Sequence, residues 1–175
     1  MLAPCSTTQQ SPQISSPSVA PASLLTLLQS DQFLALKPNC NGWLLLQKVG
    51  HADLVGPGSA VGNQVDGNYR DVCAIGSIDF YVPPNGIEPQ QSLHRRITSI
   101  QCLQKILVVP SSLQRAQLML QQLSHWLGQS CAQAISDDWV AQLAAVAPAT
   151  VAAVRMQHGQ THRYLLPEKG FNDFA

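Results

Sequence analysis

Charge is what this sequence has least of. Its ten acids and ten bases make up 11% of 175 residues, where a soluble domain usually carries about 25%. Acid–base catalysis, phosphate capture and metal binding all draw on such groups, so few are available to build a reactive site. The formal net charge is zero, and long-range attraction of nucleic acid or an anionic membrane is not expected. A nearly neutral surface, thin in charge, also does little to oppose association with other proteins or with itself.

Other absences narrow the field. The five cysteines, Cys5, Cys40, Cys73, Cys102 and Cys131, are scattered with no C-x-x-C pair. That pattern reads as reduced thiols in a cytoplasmic protein and argues against structural zinc. No apolar run reaches the 18 to 20 residues of a membrane span, and the residues before Cys5 lack the basic and apolar regions of a secretory leader. No internal repeat is present. A soluble protein without membrane insertion, metal or cofactor is the expectation.

Glutamine stands where charge is missing, with 20 residues. Residues 1–21 are rich in Ser, Pro, Gln and Thr and predict a disordered tail. Residues 22–167 predict a single α+β domain, a largely antiparallel sheet with helices packed on one face. Residues 168–175 form a C-terminal tail.

Within the domain, Leu24 to Leu28 predict a short helix, and Phe33, Leu34 and Leu36 a further helical turn ended by Lys37-Pro38. The run Trp43 to Val49 predicts a buried strand. Asp66-Gly67 predicts a hairpin turn between strands at about 59–65 and 69–75. Ile78 to Val82 predict another strand, bent at Gly76-Ser77 and stopped at Pro83-Pro84. Leu93, Ile97, Ile100 and Leu103 have helical spacing, and Ile106 to Val109 read as a strand. Residues 112–127 predict an amphipathic helix capped by Ser111 or Ser112 and stopped by Gly128. Ser136 caps another, with Asp137 and Asp138 in its first turn. Residues 150–156 and 162–166 predict a hairpin turning at His158-Gly159.

Few constellations carry chemistry. The glycine-rich loop 56–62 approaches the G-x-G-x-x-G pattern, but its third glycine falls one place late and a turn follows it. It is the basis of a reading as a small-ligand or nucleotide-handling enzyme. Arg155, His158, His162 and Arg163 would share the last hairpin, a small basic ribbon that could touch phosphate or nucleic acid. Arg95 and Arg96 would point outward from a helix, available to an acidic partner. Asp79 is either a solvated strand residue or a buried acid with a raised pKa. Cys73 and His94 are a thiol–base pair by elimination only.

The remaining features favour contact over catalysis. Gln114, Gln117 and Gln121 give the helix 112–127 an amide-coated face. Phe171 and Phe174 could seat in a partner's groove or pack back on the domain. The sequence is therefore expected to encode a non-enzymatic protein-interaction module, an adaptor, assembly factor or accessory subunit with a protein partner. Homo-oligomerisation is compatible with its neutrality.

Overall fold

The structure is a computed structural model that describes residues 21–164 except Asn68; the side chains of residues 21–23, 63 and 158–164 also lie outside the described set. The expected N-terminal tail, up to residue 20, and the C-terminal tail with Phe171 and Phe174 lie outside it too. The elements are α1 (Pro21–Leu28), β1 (Leu34–Leu36), β2 (Trp43–Gln47), β3 (Ala52–Val55), β4 (Ala60–Val61), α2 (Asn63–Asp66), β5 (Asp71–Ile75), β6 (Phe80–Tyr81), α3 (Ile87–Leu107), α4 (Ser112–Leu127), α5 (Gln129–Ala134), α6 (Asp137–Ala144) and α7 (Pro148–Tyr164).

The α+β reading holds, but the sheet is two sheets. Both are antiparallel and three-stranded, in the orders β4-β1-β6 and β3-β2-β5. The second is the middle layer. On one face Leu45, Ala52 and Leu54 meet α3 to α7 through Leu103, Met119, Leu123, Leu143, Val151 and Val154. On the other, Leu44, Leu46, Val55 and Val72 meet Leu24 and Leu28 of α1 and Leu34 and Leu36 of β1. This explains why β2 is apolar without alternation: successive side chains point to opposite faces, and both faces are covered. Each of these leucines stabilises the fold by about 1.5–3 kcal/mol through burial.

Four expectations are corrected. Phe33 to Leu36 are not helical; β1 is the central strand of its sheet, paired to β4 and β6, and Leu34, Ala35 and Leu36 are all buried. Asp66-Gly67 is not a hairpin turn. Residues 63–66 form one helical turn, while β4 pairs with β1 and β5 with β2. The tight hairpin joins β2 to β3 instead, through Val49-Gly50, with Gly50 at φ 83 and Lys48 N–H donating to the His51 carbonyl. Residues 106–109 are not a strand. Leu103 and Ile106 continue the buried side of α3, and Val108 caps it by donating to the Gln104 carbonyl. The final hairpin is helix α7, opened by Pro148, with Val151 and Val154 buried one turn apart.

The capping predictions hold. Ser111 Oγ accepts from Gln114 N–H at 3.4 Å, Ser136 Oγ accepts from Trp139 N–H at 3.5 Å, and Gly128 ends α4 at φ 80. Among the described residues no single helix is long and apolar enough to cross a membrane.

Candidate functional site

Helix α3 is built inside out. At 3.6 residues per turn, steps of four and three keep to one row of a helix. One such row is Ser92, Arg96, Ser99, Leu103 and Ile106, of which all but Ser99 are buried. The row one residue later is Leu93, Ile97, Ile100, Gln104 and Leu107, and all of it but the half-buried Ile100 is exposed. Arg96 is 1% exposed and Ile97 is 50% exposed. Val108, just past the helix, is 79% exposed. Long charged side chains are almost never fully buried unless paired, and the pairing of Arg96 is complete.

Arg96 Nη2 lies 2.7 Å from Asp66 Oδ1 and 2.9 Å from Asp53 Oδ2, and Nη1 donates to the Leu54 carbonyl at 3.1 Å. Lys48 Nζ bridges the same two oxygens at 3.3 and 2.8 Å. Two cations and two carboxylates thus close a neutral ring joining α3, β3, α2 and the β2–β3 turn. The second Asp66 oxygen accepts from Gly62 N–H at 3.4 Å. Burial pushes the Asp53 carboxyl up. Arg96, the hydrogen bond from Lys48 and the charges of Lys48 and His51 outweigh that and hold it below the usual carboxylate range. Tyr69, buried beside Asp66, is held well above the ordinary phenol value by desolvation and by the Asp66 charge.

Arg155, another of the predicted residues, has a structural task. Arg155 points inward from α7. Its guanidinium donates to the carbonyls of Gln133 at 2.8 Å and Ile135 at 2.7 Å, and its Nε makes an ion contact with Asp137 at 2.9 Å. It ties α7 to the end of α5 and the start of α6. His158, His162 and Arg163 belong to the same helix by backbone, so no basic ribbon exists; their side chains are outside the described set. Arg96 does not point outward. Arg95 does, and Gly58, at φ 74, leaves room for its guanidinium beside the glycine-rich loop. Gln114, Gln117 and Gln121 are exposed on α4, alongside Leu113 and Leu118.

Three amides of the glycine-rich loop are committed internally. Gly58 N–H donates to the Leu36 carbonyl, Ser59 N–H to the Gly56 carbonyl, and Gly62 N–H to Asp66. The helix that follows, α2, has only four residues. A phosphate cradle needs free amides at a helix start. Asp79 is the solvated case: it pairs with Lys37 at 2.6 Å, and the Lys37 hydrogen bond holds its carboxyl below the usual range. Burial, then the Asp71 charge, raise the Cys73 thiol, which disfavours the nucleophilic thiolate. Among the described residues no group of three or more His, Cys, Asp or Glu side chains is placed to hold a metal.

Sequence reasoning missed the ring because its members lie far apart in the chain: Asp53 and Asp66 stand 43 and 30 residues from Arg96. The one local hint is Asp53, an acid between Ala52 and Leu54-Val55 in a short apolar run. No protein-family model, curated protein or solved structure matches the chain.

Proposed function

We propose that this protein is a non-enzymatic interaction module, an adaptor or accessory subunit, and that the outer row of α3 receives an amphipathic helix of a partner protein. The inverted packing of α3 carries the reading. The fold anchors this helix through Arg96, Leu103 and Ile106, and Leu93, Ile97 and Leu107 add little to that anchorage because each stays at least a third exposed.

Several features give the partner its chemistry. The row runs for about 21 Å, fourteen residues at about 1.5 Å each, which suits three to four turns of one helix. Its steps of four and three are the spacing that seats a second helix in a shared seam. Lys105 and His94 lie along one edge of the row, whereas Glu88, the helix's one carboxylate, lies round the other side. The partner helix should therefore present an apolar stripe with an acidic flank. Gln90, Gln101 and Gln104 on the same half of α3 offer neutral hydrogen bonds, in keeping with the low charge of interface cores.

A photo-crosslinking residue placed at position 97, with one at position 117 as control, tests this in the native cell. Capture from position 97 of a protein through a helix with an apolar stripe and acidic flank is the expected result. The purified partner should then bind Ile97→Asp at least 30-fold more weakly, the loss of a central apolar anchor, and bind Gln117→Ala unchanged. Crosslinking only to a second copy of this chain, or equal affinity for Ile97→Asp, overturns the reading.

A further inference from the structure

A cleft of ≈ 330 Å³ opens at the seam between the middle sheet and the helical layer, on the strand side of α4 and α5. Its walls include Trp43 of β2, Ile75 of β5, Trp126 of α4 and Cys131 of α5, with Asn41 and Cys40 from the loop before β2. Trp43 and Trp126 stack, with ring centroids 5.5 Å apart and planes 17° from parallel. Both rings are only partly buried. Gly56 makes this arrangement: a Cβ there would stand 2.5 Å from Trp43 Cζ3. The indole thus lies directly over the loop backbone.

The lining fixes the chemistry of a guest. No Asp, Glu, Lys, Arg or His contributes to it. A charged ligand would shed part of its water there without gaining a counter-charge, which disfavours it. The volume is at the lower end of small-molecule sites, and aromatic walls with a few polar groups are the usual lining. Aromatic rings favour offset or edge-on contact with another ring, and both indoles line the cleft. Asn41 supplies an amide donor and acceptor at the rim. The two thiols are soft, uncharged wall groups.

We infer that this cleft is a binding site for a small, uncharged, planar aromatic molecule, stacked against the Trp43–Trp126 pair and hydrogen-bonded by Asn41. The inference is independent of the helix-docking reading, which concerns a different surface.

Titration of the full-length protein with indole, followed through the indole N–H signals of its three tryptophans, tests it. Trp139 is the internal control, since it does not line the cleft. The expected result is saturable shifts of the Trp43 and Trp126 signals with Trp139 unmoved, at a Kd on the order of 1 mM, what about nine non-hydrogen atoms can supply. Indole-3-acetate and tryptamine, the same ring with a negative or positive charge, should bind at least tenfold more weakly. Cys131→Phe, which fills the cleft from α5, should abolish the shifts while circular dichroism stays that of the parent. Asn41→Ala, on an exposed loop, serves if that variant does not fold, and should weaken binding several-fold. Unsaturable or equal shifts of all three tryptophans, equal binding of the charged analogues, or binding untouched by Cys131→Phe or, in its place, Asn41→Ala overturns the inference.

Discussion

Arg96 and Ile97 are consecutive in the chain and opposite in the fold: the guanidinium is sealed between Asp53 and Asp66, and the isoleucine is half exposed. Ordinary amphipathic logic would reverse them. The reversal leaves α3 held on its inner side by the ion ring at Arg96 and by Leu103 and Ile106, with the apolar Leu93, Ile97 and Leu107 on its outer side.

The first prediction follows from that pair. Arg96→Met should cost about 3–5 kcal/mol, because two buried carboxylates would be left with Lys48 alone. Ile97→Gln should change stability by less than about 1 kcal/mol, as expected for a half-exposed site. Denaturant unfolding of both variants measures this. Comparable losses, or a larger loss for Ile97→Gln, would mean that the outer row belongs to the fold and not to a partner.

Asp53 gives the ring a pH signature. Its carboxyl titrates lower in the folded chain than in the unfolded one. On acidification the unfolded chain binds that proton first, so the group's stabilisation is complete above the unfolded value of about 3.9 and fades as pH falls through the folded value. Asp53→Asn should therefore lose about 1–3 kcal/mol at neutral pH. Its deficit against the parent should shrink below about pH 4. Urea titrations from pH 7 to pH 2.5 would show it; a deficit constant with pH contradicts the assignment.

How much of this was legible in the sequence depended on the range of the cause. Ser111, Ser136 and Gly128 act within one helical turn, and the ends they mark were read correctly. The run Trp43 to Val49 announced a buried strand because both faces of β2 are covered. Failures came where distant partners decide. Leu34 to Leu36 have too few residues to show a period, and only pairing with β4 and β6 makes them a strand. Val151 and Val154 looked like strand residues by propensity, yet their burial against the helical layer selects helix, an override of a weak preference by packing. The side of α3 that faces inward could not be found from its own residues, since Leu93, Ile97 and Ile100 are the better apolar row.

Gly56 is needed for packing and Gly50 of the β2–β3 turn for its backbone angle, and the two kinds of need separate by experiment. Gly56→Ala would press a methyl group into the Trp43 ring and should cost about 1–3 kcal/mol, as overpacking does. It should also alter the near-ultraviolet circular dichroism of the Trp43–Trp126 stack. Gly50→Ala meets nothing within 4 Å but sits at φ +83, so it should cost about 1 kcal/mol of backbone strain and leave the tryptophan signal unchanged. A Gly56→Ala protein with the parent's aromatic spectrum would show that Trp43 is not seated on this loop.

Arg155 provides the last test, of a role opposite to the one its neighbours in sequence suggested. Its guanidinium reaches the Gln133 and Ile135 carbonyls and Asp137 at once, a fork that a lysine ammonium at the end of a flexible stem cannot reproduce. Arg155→Lys preserves charge, so a residue serving only as a cationic contact would tolerate it. A bolt between α7 and the α5–α6 junction would not. The expected loss is about 1–3 kcal/mol, from charge-assisted bonds to carbonyls left unmade. The loss should be local as well as global: amides of α5, residues 129–134, should exchange with deuterium faster in Arg155→Lys, while those of β2 keep the protection set by global unfolding. Unchanged exchange in α5 would show that helix is held by Ala132 and its apolar neighbours alone, and would return Arg155 to the surface role its sequence context implied.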